Sequence, residues 1–123
     1  MKKLILLLLM FMPLLFFSQE NIGLSFKTTS HDFGIINSKS NTKATFNFTN
    51  TSESIIEILK VHGENRCIVI DSLSVKSYAP NEKGAITITY DSDCKGPIRK
   101  TVSVFTSNKN NTISLKLIGK VVD

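Results

Sequence analysis

Residues 43–50 read Lys-Ala-Thr-Phe-Asn-Phe-Thr-Asn, and this stretch decides the fold class because apolar and polar side chains alternate along it. Ala44, Phe46 and Phe48 occupy one set of positions, and the residues between them are polar. Successive side chains of a strand point to opposite faces of a sheet, so the alternation predicts one buried and one hydrated face. The stretch therefore indicates an amphipathic β-strand.

The same period of two recurs along the rest of the chain, in residues 86–90, 101–104 and 112–117. Segments rich in turn-forming residues lie between the alternating stretches, at 37–42, 50–54, 80–84, 91–97 and 107–111. No window combines helical periodicity with capping residues. Short alternating strands spaced about 8–15 residues apart are typical of a sandwich or barrel. The sequence predicts an all-β fold with seven to nine strands in two antiparallel sheets.

One segment breaks the alternation. Ile56 and Ile58 share a face, whereas Leu59 and Val61 continue in the opposite phase. A shift by one residue predicts a β-bulge or a strand that changes sheets. The predicted core consists of the inward positions of all the strands: Phe33, Phe46, Phe48, Ile58, Val61, Ile86, Ile88, Val102, Val104, Leu115 and Leu117.

The N-terminus predicts export. Lys2 and Lys3 form a positive n-region, residues 4–17 form an apolar h-region of 14 residues, and Ser18 offers a small residue for cleavage. A helix of that length covers about 21 Å, which is short of a hydrocarbon core of roughly 30 Å. We therefore expect a signal peptide at 1–18, a single domain at 19–123, no membrane span after cleavage, and a periplasmic, cell-surface or secreted location.

The charge of the mature chain argues against a nucleic-acid partner. Two of the 15 lysines and arginines lie in the n-region, so 13 remain against 10 acidic residues, a net charge of +3. These charges are scattered singly, and Arg99-Lys100 is the only adjacent basic pair outside the n-region. Nucleic-acid binders carry a clustered basic face instead.

Several motifs, taken in order, resemble a known family. They are His31-Asp32-Phe33-Gly34, Phe46-x-Phe48-x-Asn50, Ala79-Pro80-Asn81-Glu82-Lys83-Gly84, Lys95-Gly96-Pro97, Thr106-Ser107-Asn108 and Ile118-Gly119-x-Val121. The series is similar to an exported bacterial domain-of-unknown-function family numbered 1573. The resemblance covers about residues 31–122. It implies an immunoglobulin-like β-sandwich related to the major-sperm-protein and PapD-like folds.

The resemblance also marks a set of structural motif residues: His31, Asp32, Phe33, Gly34, Phe46, Phe48, Asn50, Pro80, Gly84, Gly96, Asn108 and Gly119. The chain departs from the family pattern in two places. The family's Cys-Gly-Cys-Thr aligns with residues 65–68, where only Cys67 remains, and its Pro-Gly-Glu turn becomes Pro80-Asn81-Glu82. Asn tolerates the left-handed conformation better than most residues, so Asn81 is expected to adopt it.

Nothing in the sequence assembles a catalytic or metal-binding set, so we expect no enzyme activity and no cofactor. His31 and His62 fall on different predicted strands, without the spacing that metal ligands show. A nucleophilic Cys67 would need an activating base or a helix N-terminus. We expect the His31 ring or the Asp32 carboxylate to bond the nearby backbone instead.

The pairing of Cys67 and Cys94 stays open at this point. Two cysteines in an oxidising compartment are most simply interpreted as a disulfide. However, the family motif places its two cysteines within one tight turn, which gives no support for a bridge to Cys94.

Two functions remain from the sequence alone. The first is a non-enzymatic, exported structural or protein-interaction module of the bacterial envelope, whose partner is another envelope or surface protein. The alternative is a redox- or ligand-handling accessory protein of the envelope that uses Cys67. The sequence fixes neither the partner nor the oligomeric state.

Overall fold

The computed structural model describes residues 23–108 and 112–123. The predicted signal peptide at 1–18 lies outside this part of the chain. Within it, nine strands follow one another: β1 (Leu24–Phe26), β2 (Ser30–Ile36), β3 (Lys43–Asn50), β4 (Ile56–His62), β5 (Ile68–Ile70), β6 (Ser77–Tyr78), β7 (Lys83–Tyr90), β8 (Gly96–Thr106) and β9 (Ile113–Val121). A 3₁₀ turn at Ser72–Ser74 is the only helical element described. The prediction of seven to nine strands is confirmed.

The strands form two sheets packed as a sandwich. The first sheet, sheet A, has the strand order β1-β3-β7-β5, and the second, sheet B, has the order β2-β9-β8-β4-β6. All the strand pairs are antiparallel except β2–β9, which is parallel. The prediction of purely antiparallel sheets is wrong for this pair. After β1 the chain crosses from sheet A to sheet B without reversing its direction. It then forms β2, which lies parallel to β9.

The core lies between the sheets and is built from alternate positions of the long strands. In β3, Ala44, Phe46 and Phe48 are buried and the lysine, threonine and asparagine between them are exposed. Nine predicted core residues are buried: Phe46, Phe48, Ile58, Ile86, Ile88, Val102, Val104, Leu115 and Leu117. The core prediction is wrong for Phe33 and Val61, because both are only half-buried. Phe33 lies on the edge strand β2, and Val61 lies near the end of β4, so each has neighbours on fewer sides.

The predicted β-bulge is present in β4. Its pairing with β8 shifts register between Ile58, opposite Thr106, and Lys60, opposite Phe105. Leu59 is the extra residue, and its side chain is 53% exposed. The bulge turns Leu59 towards solvent, and Leu59 was not among the predicted core residues.

Candidate functional site

The Asn50 side chain forms a hydrogen-bonding centre at the end of β3. Asn50 is fully buried. Its Nδ2 donates to the carbonyl oxygens of Ser54 and Tyr78, each at 2.9 Å. Its Oδ1 accepts from the Ser52 N–H at 3.0 Å and from the Ser52 Oγ at 2.7 Å. Asn50 thus ties three segments together and has a structural role.

The turn at residues 79–82 is fastened to the same place by main-chain bonds. The Asn50 N–H donates to the Glu82 carbonyl oxygen at 2.9 Å, and the Asn81 N–H donates to the Asn50 carbonyl oxygen at 2.7 Å. Asn81 has a φ of 69°, so the expected left-handed conformation is confirmed. Pro80 is exposed in this turn. The Glu82 carboxylate closes the turn by accepting from the Ala79 N–H at 2.9 Å.

We expect Asn50→Ala to lower the free energy of unfolding by about 2–3 kcal/mol, because the buried carbonyl oxygen of Tyr78 loses its side-chain donor. Urea denaturation measures the change. Asn47→Ala is the matched control, since Asn47 lies on the exposed face of the same strand, and it should change stability by less than about 0.5 kcal/mol. Equal losses in the two variants would show that the Asn50 side chain does not hold the turn.

Gly84 allows two aromatic rings to meet in the core. A Cβ at Gly84 would lie 2.6 Å from Phe48 Cζ and 2.6 Å from Tyr78 Cε2. The rings of Phe48 and Tyr78 are 4.9 Å apart in an edge-on arrangement. This close packing explains why glycine stands at position 84.

The hydroxyl of Tyr78 is buried with its ring and donates to the Ser74 carbonyl oxygen at 2.8 Å. Burial raises the pKa of Tyr78 above its ordinary value of 10.0, and the Glu82 carboxylate raises it further. Because the pKa is higher in the folded state, the neutral hydroxyl stabilises the fold below about pH 10, and this contribution is lost as the pH rises through the folded pKa.

We therefore expect the free energy of unfolding to decline above about pH 10, and Tyr78→Phe to make that decline shallower. Denaturation midpoints recorded across this pH range measure the effect. A decline equally steep in Tyr78→Phe and in the wild-type protein would contradict the assignment.

His31 and Asp32 have structural contacts. The His31 ring packs edge-on against Phe33, with centroids 4.6 Å apart, and lies 6.5 Å from Phe46. Asp32 Oδ1 accepts from the Gly34 N–H at 2.8 Å, as expected for a carboxylate that bonds the nearby backbone. The structure therefore places these motif residues at the edge strand β2, where they fix its local shape.

Gly34 and Gly119 lie where the parallel pair β2–β9 changes register. Gly34 has a φ of 70° and Gly119 a φ of 149°, conformations that disfavour a side chain. A Cβ at Gly119 would come within 3.0 Å of the Gly34 carbonyl oxygen. The remaining motif residues lie at strand ends: Gly96 begins β8, and the Asn108 N–H donates to Thr106 Oγ1 at 3.2 Å.

Cys67 and Cys94 form a disulfide in the structure, so the bridge that the sequence left open is present there. Their Cα atoms are 6.0 Å apart and they are separated by 27 positions. The Cys67 carbonyl oxygen accepts from the Asp91 N–H at 2.7 Å, and the Cys94 N–H donates to the Asp91 carbonyl oxygen at 3.0 Å. The bridge therefore joins the turn after β7 to the start of β5, and both cysteines pack against the core.

Among the described residues, 23–108 and 112–123, no group of three or more His, Cys, Asp or Glu side chains is arranged so that it could hold a metal ion. In the same part of the chain, no helix has the length and apolar character needed to cross a bilayer.

Sequence reasoning did not identify β1 or its neighbouring surface. The strand has only three residues, too few for a recognisable alternation. A cavity of about 410 Å³ lies beside it, lined in part by Ser25, Lys27, Asn47 and Lys83. The two apolar residues Leu24 and Phe26, separated by Ser25, are a weak signal for this strand.

Solved structures share this fold at low sequence identity. A protein of unknown function from Porphyromonas gingivalis W83 is 15% identical with a TM-score of 0.65, over 86% of this chain and 51% of the other. The ASH/PapD-like domain of human CEP192 is 11% identical with a TM-score of 0.63, over 84% and 87%. WR4, a major-sperm-protein family member from C. elegans, is 14% identical with a TM-score of 0.61, over 80% and 98%.

These likenesses show the fold, an immunoglobulin-like sandwich of the major-sperm-protein and PapD-like type. The chain spans about half the length of the Porphyromonas protein. A search of curated protein sequences found no match. The family model for a protein of unknown function (DUF1573) matches residues 24–121. The chain therefore belongs to the DUF1573 family.

Proposed function

We propose that the chain is an exported, non-enzymatic protein-interaction module of the bacterial envelope, and that it binds another envelope or surface protein. Two features support export: the charged and apolar regions of residues 1–18, and a disulfide of the kind that persists in oxidising compartments. The fold supports an interaction module, because sandwiches of this type present their sheet edges and loops to other proteins.

The interaction role rests mainly on the edge of β1, whose outward backbone groups have no partner among the described residues. The Thr51 N–H donates to the Gly23 carbonyl oxygen at 3.0 Å, and the Lys27 N–H donates to the Asn47 carbonyl oxygen at 2.9 Å. Hydrogen-bonding groups alternate in direction along an antiparallel strand, so those of Leu24 and Phe26 point away from β3. An edge of this kind can accept an additional strand from another protein.

The alternative, a redox or ligand-handling role for Cys67, requires a thiolate. In the structure, Cys67 is bonded to Cys94, and these are the two cysteines of the chain. No observation favours this function over a structural bridge.

A photo-crosslinking amino acid at position 25, in cells that export the protein, tests the proposal. Ser25 is exposed beside the β1 edge, and position 105 on the outer face of sheet B is the matched control. We expect a discrete protein adduct in the envelope fraction from position 25. Adducts from position 105 alone, or from neither position, would contradict an interaction role for β1.

A further inference from the structure

We propose that the segment bound by the β1 edge is an extended peptide in which apolar and acidic side chains alternate. The inference rests on the proposed function and adds the chemistry of the partner. It depends on two observations: the protein's own chain occupies outward groups at β5, β2 and β6, and the charged residues within the strands of sheet A are all lysines.

The β5 edge of sheet A is capped by its own chain. The Ile68 N–H donates to the Asn65 carbonyl oxygen at 3.3 Å, and the Asn65 N–H donates to the Ile68 carbonyl oxygen at 3.1 Å. The Glu64 carboxylate accepts from the Ile70 N–H at 3.1 Å. An incoming strand would have to displace these bonds.

Sheet B is also obstructed at its two outermost strands, β2 and β6. On β2, the Asp32 carboxylate occupies the Gly34 N–H, and the register breaks between Asp32 and Ile35. A bulge and a charge at the edge are known protections against unwanted pairing. On the other side, β6 has only two residues, and the Tyr78 carbonyl oxygen is taken by Asn50.

Strand β1 is also short, with three residues, but no bulge interrupts it and no side chain of the described residues occupies its outward groups. Its two outward residues offer two N–H and two C=O groups. Phe26 is only half-buried, with its ring 5.0 Å from that of Phe48. An apolar side chain on an added strand would cover the exposed part of Phe26 and extend the core at this edge.

The outer face of sheet A sets the charge of the partner. Strands β1, β3, β5 and β7 contain Lys43 and Lys83 and no acidic residue, and Lys27 follows β1 directly. Neither Lys27 nor Lys83 forms an ion pair within the described part of the chain. Both line the cavity beside β1, together with the polar side chains of Ser25, Asn47 and Thr49.

The two faces of an added strand therefore meet different surroundings. Alternate side chains would lie beside Leu24 and Phe26 on the core side and beside Ser25 and Lys27 on the outer side. Apolar residues suit the positions on the core side, and carboxylates suit the positions on the outer side. Pairing with β1 of a second copy is less favourable, because it would bring the lysines of both copies onto one face.

Binding of short capped peptides to the exported, disulfide-bonded protein tests this inference. One peptide alternates valine with glutamate, and its matched control alternates valine with lysine. We expect the glutamate peptide to bind about tenfold more tightly and to shift the amide resonances of residues 24–27. N-methylation of the peptide residues whose N–H groups point towards β1 should abolish binding. Methylation of the alternate residues, whose N–H groups point away from β1, should not.

Lys27→Glu supplies the second measurement, because an exposed lysine can be replaced without disturbing the core. We expect this variant to lose about tenfold in affinity for the glutamate peptide and to gain affinity for the lysine peptide. Equal binding of both peptides, shifts confined to β2, or concentration-dependent dimers joined through β1 would overturn the inference. A position-25 adduct with failed peptide binding would overturn this partner chemistry and leave the proposed function standing.

Discussion

Phe48→Ala should lower the free energy of unfolding by about 3–5 kcal/mol, the usual loss when a buried aromatic is truncated. Phe48 is 2% exposed, and its ring lies 5.0 Å from Phe26 and 4.9 Å from Tyr78. Gly84 has no side chain that could move into the space left behind. The cavity would therefore persist, and chemical denaturation of the purified protein measures its cost.

Phe105→Ala is the matched control for this prediction. Phe105 is also on a central strand, but it points to the outer face of sheet B and is 40% exposed. We expect it to cost no more than about 1 kcal/mol. If Phe48→Ala cost less than about 1 kcal/mol, the assignment of inner and outer faces would be inverted.

Replacing both cysteines by serine should destabilise the protein by roughly 3.5 kcal/mol. The bridge closes a loop between residues separated by 27 positions, and the chain-entropy model gives this value for a loop of that length. Denaturation of the wild-type protein and of the Cys67→Ser, Cys94→Ser double variant measures the difference.

Reductant provides the control for the disulfide prediction. Wild-type protein in excess dithiothreitol should fall to nearly the stability of the double variant, which should not respond. A double variant within about 1 kcal/mol of the oxidised wild type would show that the bridge contributes little.

The long strands could be predicted from the sequence because each has one buried face and one solvent-exposed face. Phe46 and Phe48 in β3 and Leu115 and Leu117 in β9 are buried as the alternation indicates. The short strands could not be predicted, because β1, β5 and β6 have two or three residues each and show no period. Buried residues such as Leu24, Ile68 and Tyr78 were missed for this reason.

The parallel pairing of β2 with β9 depends on where the chain crosses between the sheets, which local sequence does not record. The family resemblance singled out the motif residues, but their roles depend on three-dimensional neighbours. Asn50, for example, bonds to the Tyr78 carbonyl 28 positions away. The partner of Cys67 stayed open for the same reason. Cys94 lies in a turn that comes close to β5 only in the folded structure, which the local sequence does not show.

Intact mass spectrometry tests most directly whether this protein is an exported sandwich closed by the Cys67–Cys94 disulfide. The protein is recovered from the periplasmic, surface and secreted fractions, denatured, and alkylated without prior reduction. We predict a chain without residues 1–18, two hydrogens lighter than its dithiol form and free of alkyl groups. A chain that retains its N-terminal segment and carries two alkylated cysteines would contradict both the export and the bridge.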